Sequence, residues 1–517
     1  MNNFLINLKK REFNQTEIKS FKHSLTLNNI QIYCDSFQKV NESYLFINGK
    51  TIETTNEIYN LYKQDPDTFT NSINGDFSLV IIDENKIILA KDYYGSQPLY
   101  YYQDNDFYLI SNNFKNFFNY KINKDFDSEK ELEYLAGHFF DQERTLYKNI
   151  KRVLPNTILV LSNNTKKLSK IKQSTNEQTK TFLNIFQNAV DIRTSDINYF
   201  TELSGGYDSS SVYSLSNLKN SVSIVFPSLV CNEEEYIDEV ISKYPGNNKK
   251  FEYQRYDLSF YYNLARRYKY IPEYPNSIQA YQYLEFLKSQ NINFLLTGYG
   301  GDHLLTGDTY KKYIGIRQKF KSLFLNKFKL RRYINKKPID ILNIDANCKY
   351  LDRFVHQTYS SNTDLNEFQN NLIYQVTNAN LTEYIESSAL LANEFEITKL
   401  HPLFDKNIFS YCFYNLSAIN KNKQILKDSF LQFLPAKILN RNDKADFTYL
   451  FKKIIYTPEA LSELEDAIKN YNHYLDLPYL SENVVKIKQG QETTPVLLLS
   501  LWKILSLNLF KKTAGDF

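Results

Sequence analysis

The sequence predicts an α/β protein in two parts: a layered, mainly antiparallel β unit over residues 1–165 and a doubly wound α/β unit over residues 181–517, with a linker at 166–180. Three observations carry the prediction. A chain of 517 residues is too long for one hydrophobic core. Its first third is written in short apolar runs broken by polar turns, the pattern of paired strands. Beyond it, apolar runs of strand length alternate with helical stretches, which calls for a parallel sheet with right-handed crossovers.

In chain order, residues 44–50 read as a strand running into a turn, and 77–83 as a buried strand. Asp83-Glu84-Asn85-Lys86 is turn chemistry, and 86–90 and 98–102 are further strands. Such a succession makes a layered antiparallel sheet. Residues 163–180 are rich in Ser, Thr, Lys and Asn, lack periodicity, and are expected to join the two units. Residues 198–203 are the next strand and 210–215 the first turns of a helix. A parallel strand at 222–227, a helix at 233–241 with acids in its first turn, a strand at 294–296 and a helix at 383–396 follow.

Composition narrows the function. Lys and Arg number 62 against 58 Asp and Glu, a balance that argues against a general nucleic-acid binder. The four cysteines, Cys34, Cys231, Cys348 and Cys412, form no CxxC pair, so neither a zinc site nor a thioredoxin-type site is expected. So sparse a set fits a reducing cytoplasm. No signal-peptide pattern opens the chain, and the apolar segment 496–510 is interrupted by Lys503 and too short to span a bilayer. Residues 317–337 carry nine Lys and Arg and no acid, interleaved with Phe320, Leu323, Phe324, Phe328 and Tyr333. They read either as a docking face for an acidic partner or as a solvated helix face.

Two glycine corners carry the chemistry. The first is Leu203-Ser204-Gly205-Gly206-Tyr207-Asp208-Ser209, between a strand and a helix. Its glycines let the backbone approach a ligand closely, and the amides that follow point out of a helix N-terminus that favours an anion. Ser204 and Ser209 add hydroxyl donors. Asp208 beside a phosphate calls for a bridging metal, and Mg²⁺ is the usual choice. The Gly-Lys-Ser/Thr ending of a Walker loop is absent. The second corner, Thr297-Gly298-Tyr299-Gly300-Gly301-Asp302-His303, again follows an apolar strand and ends in an aspartate. Asp208 and Asp302 at two strand ends of one sheet are the expected Mg²⁺ ligands.

The first corner resembles the pyrophosphate loop of N-type ATP pyrophosphatases, which split ATP between the α and β phosphates. Residues 74–83, 90–101 and 145–155 resemble the glutaminase domain of asparagine synthetase. The resemblance implies an Ntn-hydrolase-like N-terminal domain and a C-terminal ATP-pyrophosphatase, or synthetase, domain. In that family the cysteine after the initiator Met releases ammonia from glutamine; Asn2 stands there in this chain, and asparagine supplies no thiolate. The N-terminal domain is therefore expected to be a retained scaffold without glutaminase activity. The resemblance also places Val225 and Phe226 near the adenine, although both read equally well as core. It aligns Lys399-Leu400-His401-Pro402-Leu403-Phe404-Asp405 with a segment that carries Arg at the Leu400 position, and it puts Lys444 over the site, where a lysine steadies developing negative charge.

Within the family, asparagine synthetase fits poorly, because it carries Glu at the Tyr299 and His303 positions. β-Lactam synthetases also lack the cysteine and carry Tyr at the Tyr299 position. Lasso-peptide cyclases, or macrolactam synthetases, lack it too, and their corner can read Gly-x-Gly-Gly-Asp-His as here. The expected function is ATP-dependent cyclisation of a precursor peptide, with a leader-peptide-binding protein and a cysteine protease as pathway partners and ATP and Mg²⁺ as cofactors. The expected catalytic residues are Lys444 and Tyr299, the latter helping to deprotonate the amine if its pKa is lowered. A β-lactam synthetase-like amidoligase and a peptide- or nucleotide-binding pseudoenzyme scaffold are the alternatives.

Overall fold

The computed structural model describes residues 3–9, 21–84, 86–105, 107–162, 166–170, 181–227, 229–252, 258–271, 277–305, 340–356, 365–415, 423–441, 445 and 447–514. Asn2, the basic stretch 317–337 and Lys444 lie outside these residues.

The N-terminal part is two six-stranded antiparallel sheets. The first contains β1 (Phe4–Lys9), β2 (His23–Leu27), β3 (Ile30–Cys34), β8 (Tyr100–Gln103), β9 (Phe107–Ser111) and β10 (Ile150–Arg152), in the order β10-β8-β9-β1-β3-β2. The second contains β4 (Gln38–Val40), β5 (Ser43–Thr51), β6 (Gly75–Asp83), β7 (Lys86–Lys91), β11 (Thr157–Leu161) and β12 (Lys166–Lys170), in the order β12-β11-β7-β6-β5-β4. The sheets share a core in which Phe4, Ile6, Leu8, Ile30 and Ile32 meet Phe46, Val80, Ile82 and Leu89. The outer face of the second sheet packs Ile81, Ile88 and Ile158 on Ile58, Tyr59 and Tyr62 of the helix Thr55–Gln64. With both faces of β6 covered, its apolar run is continuous rather than alternating.

The C-terminal part is built on five parallel strands: β13 (Phe200–Glu202), β14 (Asn220–Val225), β15 (Asn247–Glu252), β16 (Phe294–Leu296) and β17 (Thr398–Leu400). Their order is β15-β14-β13-β16-β17. The chain runs outward from β13 through β14 to β15, then returns to place β16 on the other side of β13. The order therefore reverses between β13 and β16, the place where open α/β sheets bind ligands beyond their carboxyl ends.

Helices cover both faces. One face buries Leu296 and Leu400 against the helices Phe182–Thr194 and Tyr207–Leu215; the other buries Phe200, Val222 and Leu295 beneath Leu264, Tyr268 and Leu287 of the helices Ser259–Tyr268 and Ser277–Ser289. The last helix, Pro495–Ala514, buries Trp502 against Tyr261, with ring centroids 4.4 Å apart. Among the described residues, no helix is long and apolar enough to cross a membrane.

One expectation needs correction. Residues 166–170, assigned to the linker, are the strand β12, paired with β11 from Leu161↔Lys166 to Thr157↔Lys170. A Lys-rich strand at a sheet edge lacks the apolar alternation that betrays a strand, and lysines are what keep such an edge from pairing further. Residues 171–180 lie outside the described residues.

Buried charges join the two parts. Arg193, 1% exposed on the helix Phe182–Thr194, reaches Asp76 of β6 at 2.7 Å and Asp405 at 2.8 Å. Glu386, on the helix Ala379–Glu394, accepts from Lys91 and Arg152, each at 2.6 Å. Leu400, where the resemblance calls for arginine, is fully buried in the core.

Candidate active site

Both glycine corners lie at the carboxyl ends of adjacent strands, β13 and β16. Gly205 has φ +71, a conformation that costs a residue with a Cβ free energy, and a Cβ there would meet Tyr236 at 2.6 Å. Gly206 caps the helix Tyr207–Leu215 without a side-chain hydrogen bond, so the amides of its first turn have no side-chain cap at that position. Among the described residues, the only neighbour a Cβ on Gly206 would meet within 4 Å is the Ser204 hydroxyl at 3.5 Å, so these residues leave room for a ligand in front of this turn. The Ser209 hydroxyl accepts the Ser204 amide at 3.2 Å and lies 3.0 Å from the Ser204 hydroxyl, closing the loop on itself.

The second corner packs directly on the first. A Cβ on Gly298 would fall 2.7 Å from the Ser209 nitrogen, and one on Gly301 would fall 2.2 Å from a carboxylate oxygen of Asp208. Gly300, at φ +109, packs against Leu403. Glycine at these positions is thus what lets the corners touch.

Asp208 and Asp302 converge on one cation position. The Lys423 ammonium occupies it, ion-paired to Asp208 and 2.7 Å from Asp302. Burial alone would lower the Lys423 pKa, but the two carboxylates outweigh it and hold the group above its ordinary value. The pair of hard oxygen donors fits Mg²⁺, which binds one or two carboxylates and fills its remaining positions with water and phosphate oxygens. Among the described residues there is no group of three or more His, Cys, Asp or Glu that could hold a metal.

Lys423 is the residue that sequence reasoning missed. It precedes the helix Gln424–Ser429 with φ +58, and its amide donates to the Leu305 carbonyl at 3.1 Å, which ties it to the second corner. Arg441 was also passed over. It donates to the Gly205 carbonyl at 3.3 Å, pairs with Glu233 at 2.5 Å and lies over the Tyr236 ring. Tyr207 donates its hydroxyl to the Leu439 carbonyl. The stretch leading to Lys444 is thereby held against the first corner.

Leu203, Val225 and Phe226 stand at the ends of β13 and β14 with buried side chains, so only their backbone is available to a nucleotide. The Phe226 amide donates to Asn232 at 3.1 Å, and its ring lies 5.6 Å from Phe447.

Tyr299 is half-buried between the Tyr384 ring at 5.2 Å and the His401 ring, which stacks on it at 5.5 Å with 17° between planes. Burial and the nearby Glu202 carboxylate push its hydroxyl up to about 12, against hydrogen bonds to Tyr384 and Ser388 that lower it. This is opposite to what a phenolate base needs, so the condition attached to that role, a lowered pKa, is not met. Behind it, burial raises the Glu202 carboxyl and lowers the Lys399 ammonium, each partly offset by the other.

Comparison with known proteins accords with this arrangement. Residues 181–510 match the asparagine synthase family, and residues 22–172 match the glutamine amidotransferase domain. The N-terminal part is thus an Ntn-type amidotransferase domain and the C-terminal part an α/β synthetase domain. No curated protein matches the sequence. Among solved structures, glutamine phosphoribosylpyrophosphate amidotransferase from B. subtilis complexed with ADP and GMP aligns at 10% identity over 57% of this chain and 68% of that one, with a TM-score of 0.21. The allosteric regulatory enzyme of purine biosynthesis aligns at 11% identity over 61% and 71%, also with a TM-score of 0.21. Likenesses that small carry no argument. The family match, which spans well over half the chain, does: the chain belongs to the asparagine synthase family, whose chemistry is ATP-dependent formation of an amide bond.

Proposed function

We propose that the protein is a lasso-peptide cyclase, joining an Asp or Glu side chain of a precursor peptide to that peptide's own α-amino group. The observation that carries the ATP-dependent half is the convergence of Asp208 and Asp302 on one cation position, beside open helix amides. The choice of cyclase rests on the corner Gly298-Tyr299-Gly300-Gly301-Asp302-His303 and on Asn2 in place of a nucleophilic cysteine.

A carboxylate is a poor electrophile. Its oxygen attacks the α-phosphorus of ATP, the bond to the bridging oxygen breaks, and pyrophosphate leaves. The peptide's amine then attacks the activated acyl carbon, the carbon–oxygen bond to AMP breaks, AMP departs, and the amine's proton passes to solvent water. The amides at the start of the helix Tyr207–Leu215 and the hydroxyls of Ser204 and Ser209 hold phosphate oxygens. Mg²⁺ held by Asp208 and Asp302 would supply charge neutralisation at the phosphates. Lys423, released from the carboxylates, and Lys444 meet the charge that develops on the leaving pyrophosphate. Tyr299 keeps its proton and orients the acceptor. Binding both ends of one peptide supplies proximity.

In this reading the N-terminal domain does not hydrolyse glutamine. Cys34 does not replace a missing nucleophile: it is fully buried in β3, and burial, with Asp35 nearby, pushes its thiol up to about 11. A leader-peptide-binding protein and a cysteine protease are the proposed pathway partners. Tyr299 also suits a β-lactam synthetase-like enzyme acting on a small amino-carboxylate.

The test is incubation with MgATP and a precursor peptide encoded beside the gene. The expected result is a peptide lighter by one water, with pyrophosphate release abolished in Asp208→Ala. Turnover of a small amino-carboxylate instead would favour the β-lactam reading. Pyrophosphate from no amino-carboxylate at all would leave a binding scaffold.

A further inference from the structure

The edge strand of the synthetase sheet is finished by the other domain. Among the described residues, β17 pairs with β16 on one side only, which leaves its outer backbone groups in need of partners. The N-terminal domain supplies two. Asp76 accepts the His401 amide at 2.6 Å, and Gln97, fully buried, donates to the Lys399 carbonyl at 3.3 Å. Asp76 is itself fixed by Arg193, whose guanidinium is 2.7 Å away.

The contact continues into the second corner. The His401 ring, 1% exposed, hydrogen-bonds the Thr297 hydroxyl at 2.7 Å. That hydroxyl accepts the Tyr299 amide at 3.3 Å, while the face of the same imidazole stacks on the Tyr299 ring. One side chain thus holds Tyr299 by its ring and, through Thr297, by its backbone.

The geometry points to a positioning role for the N-terminal domain: through Asp76, His401 and Thr297 it sets the Gly298–Asp302 corner against the Asp208 corner, so that the synthetase site is incomplete without it. The inference rests on the proposed placing of a nucleotide between the corners. It explains why a domain expected to lack glutaminase chemistry remains a structural part of the site. His401, Thr297 and Asp76 are positioning residues here, acting through Tyr299 and its corner.

The experiment incorporates 3-fluorotyrosine at position 299 of the full chain and follows its fluorine resonance with and without MgATP. Thr297→Val leaves every interdomain ion pair in place. It is expected to displace or broaden the resonance and to weaken MgATP binding by about tenfold, the scale of one lost hydrogen bond in a charged site. Thr297→Ser is expected to behave as wild type. Asp76→Ala, or Gln97→Met should that chain not fold, is expected to give the Thr297→Val signature, and Asp76→Asn, which keeps an acceptor for the His401 amide, to restore it. A merely stabilising contact would lower the melting temperature and leave the Tyr299 resonance alone. Folded Thr297→Val and N-terminal-domain variants with an unmoved resonance would overturn the inference. A wild-type resonance indifferent to MgATP would count instead against the nucleotide site itself.

Discussion

Gly301 and Asp208 touch so closely that one added carbon would collide: a Cβ on Gly301 would lie 2.2 Å from one carboxylate oxygen and 2.6 Å from the other. Gly206 differs, because among the described residues a Cβ there meets only the Ser204 hydroxyl, at an ordinary 3.5 Å. Gly301→Ala is therefore expected to push the Asp208 carboxylate off its position and lose MgATP-dependent turnover. Gly206→Ala is expected to lose MgATP affinity while costing less than about 1 kcal/mol of stability, since glycine is only a moderate N-cap. Denaturant midpoints and MgATP titrations on both variants check this. Wild-type affinity in Gly206→Ala would mean that the open space is not the phosphate's.

Lys423 occupies the cation position between Asp208 and Asp302. An ammonium and a magnesium ion cannot share it. Lys423→Met removes the ammonium that separates two facing carboxylates, so the variant is expected to be less stable without metal, by about 1 kcal/mol, since Asp302 is half exposed. Mg²⁺ alone should then raise its melting temperature more than it raises that of wild type, because no ammonium has to be displaced. An equal Mg²⁺ response in the two proteins would separate Lys423 from the metal position.

His401 carries a pH dependence of defined sign. Burial first, then the charges of Lys399 and Arg193, lower its pKa from 6.5 to about 3. Between those values the unfolded chain binds a proton that the folded chain does not, so stability falls as pH falls from about 6.5 towards 3. His401→Gln removes this titration. Unfolding measured at pH 5 and 6 is expected to show a shallower slope in the variant, by up to about 1.4 kcal/mol per pH unit. Parallel slopes would mean that His401 protonates freely in the folded state.

The two corners were legible because glycine leaves a mark in sequence wherever backbones must meet, and because each follows a run of strand-forming residues. Gly205, Gly298 and Gly301 mark contacts that a Cβ would forbid. Lys423 left no such mark. It stands in a run of Lys and Asn like any polar loop, and its role comes from 215 residues of chain returning to Asp208. β12 was misread because an edge strand needs no second apolar face. The direction of the Tyr299 shift was not legible either, because it comes from burial first and then from Glu202, a neighbour brought in by the pairing of β13 with β16. Local pattern thus revealed backbone geometry, while the charges around the site came from long-range topology.

Arg193 offers the sharpest test of how firmly the domains are joined. It is 1% exposed, and both of its acidic partners, Asp76 and Asp405, are nearly as buried. Removing one member of such a group strands the others without compensation, so Arg193→Met is expected to cost roughly 3–5 kcal/mol. Asp76→Ala should cost a similar amount, since among the described residues it leaves the guanidinium with Asp405 as its one carboxylate partner, beside the Ala189 and Phe404 carbonyls. If the two act as one unit, the double variant will be far less destabilised than the sum of the singles, as contact pairs couple strongly in such cycles. Trp502, fully buried and the only tryptophan in the chain, reports unfolding by its fluorescence in urea. Strictly additive losses would mean that Arg193 and Asp76 stabilise their own domains separately, and that the interface is held by the Glu386 cluster instead.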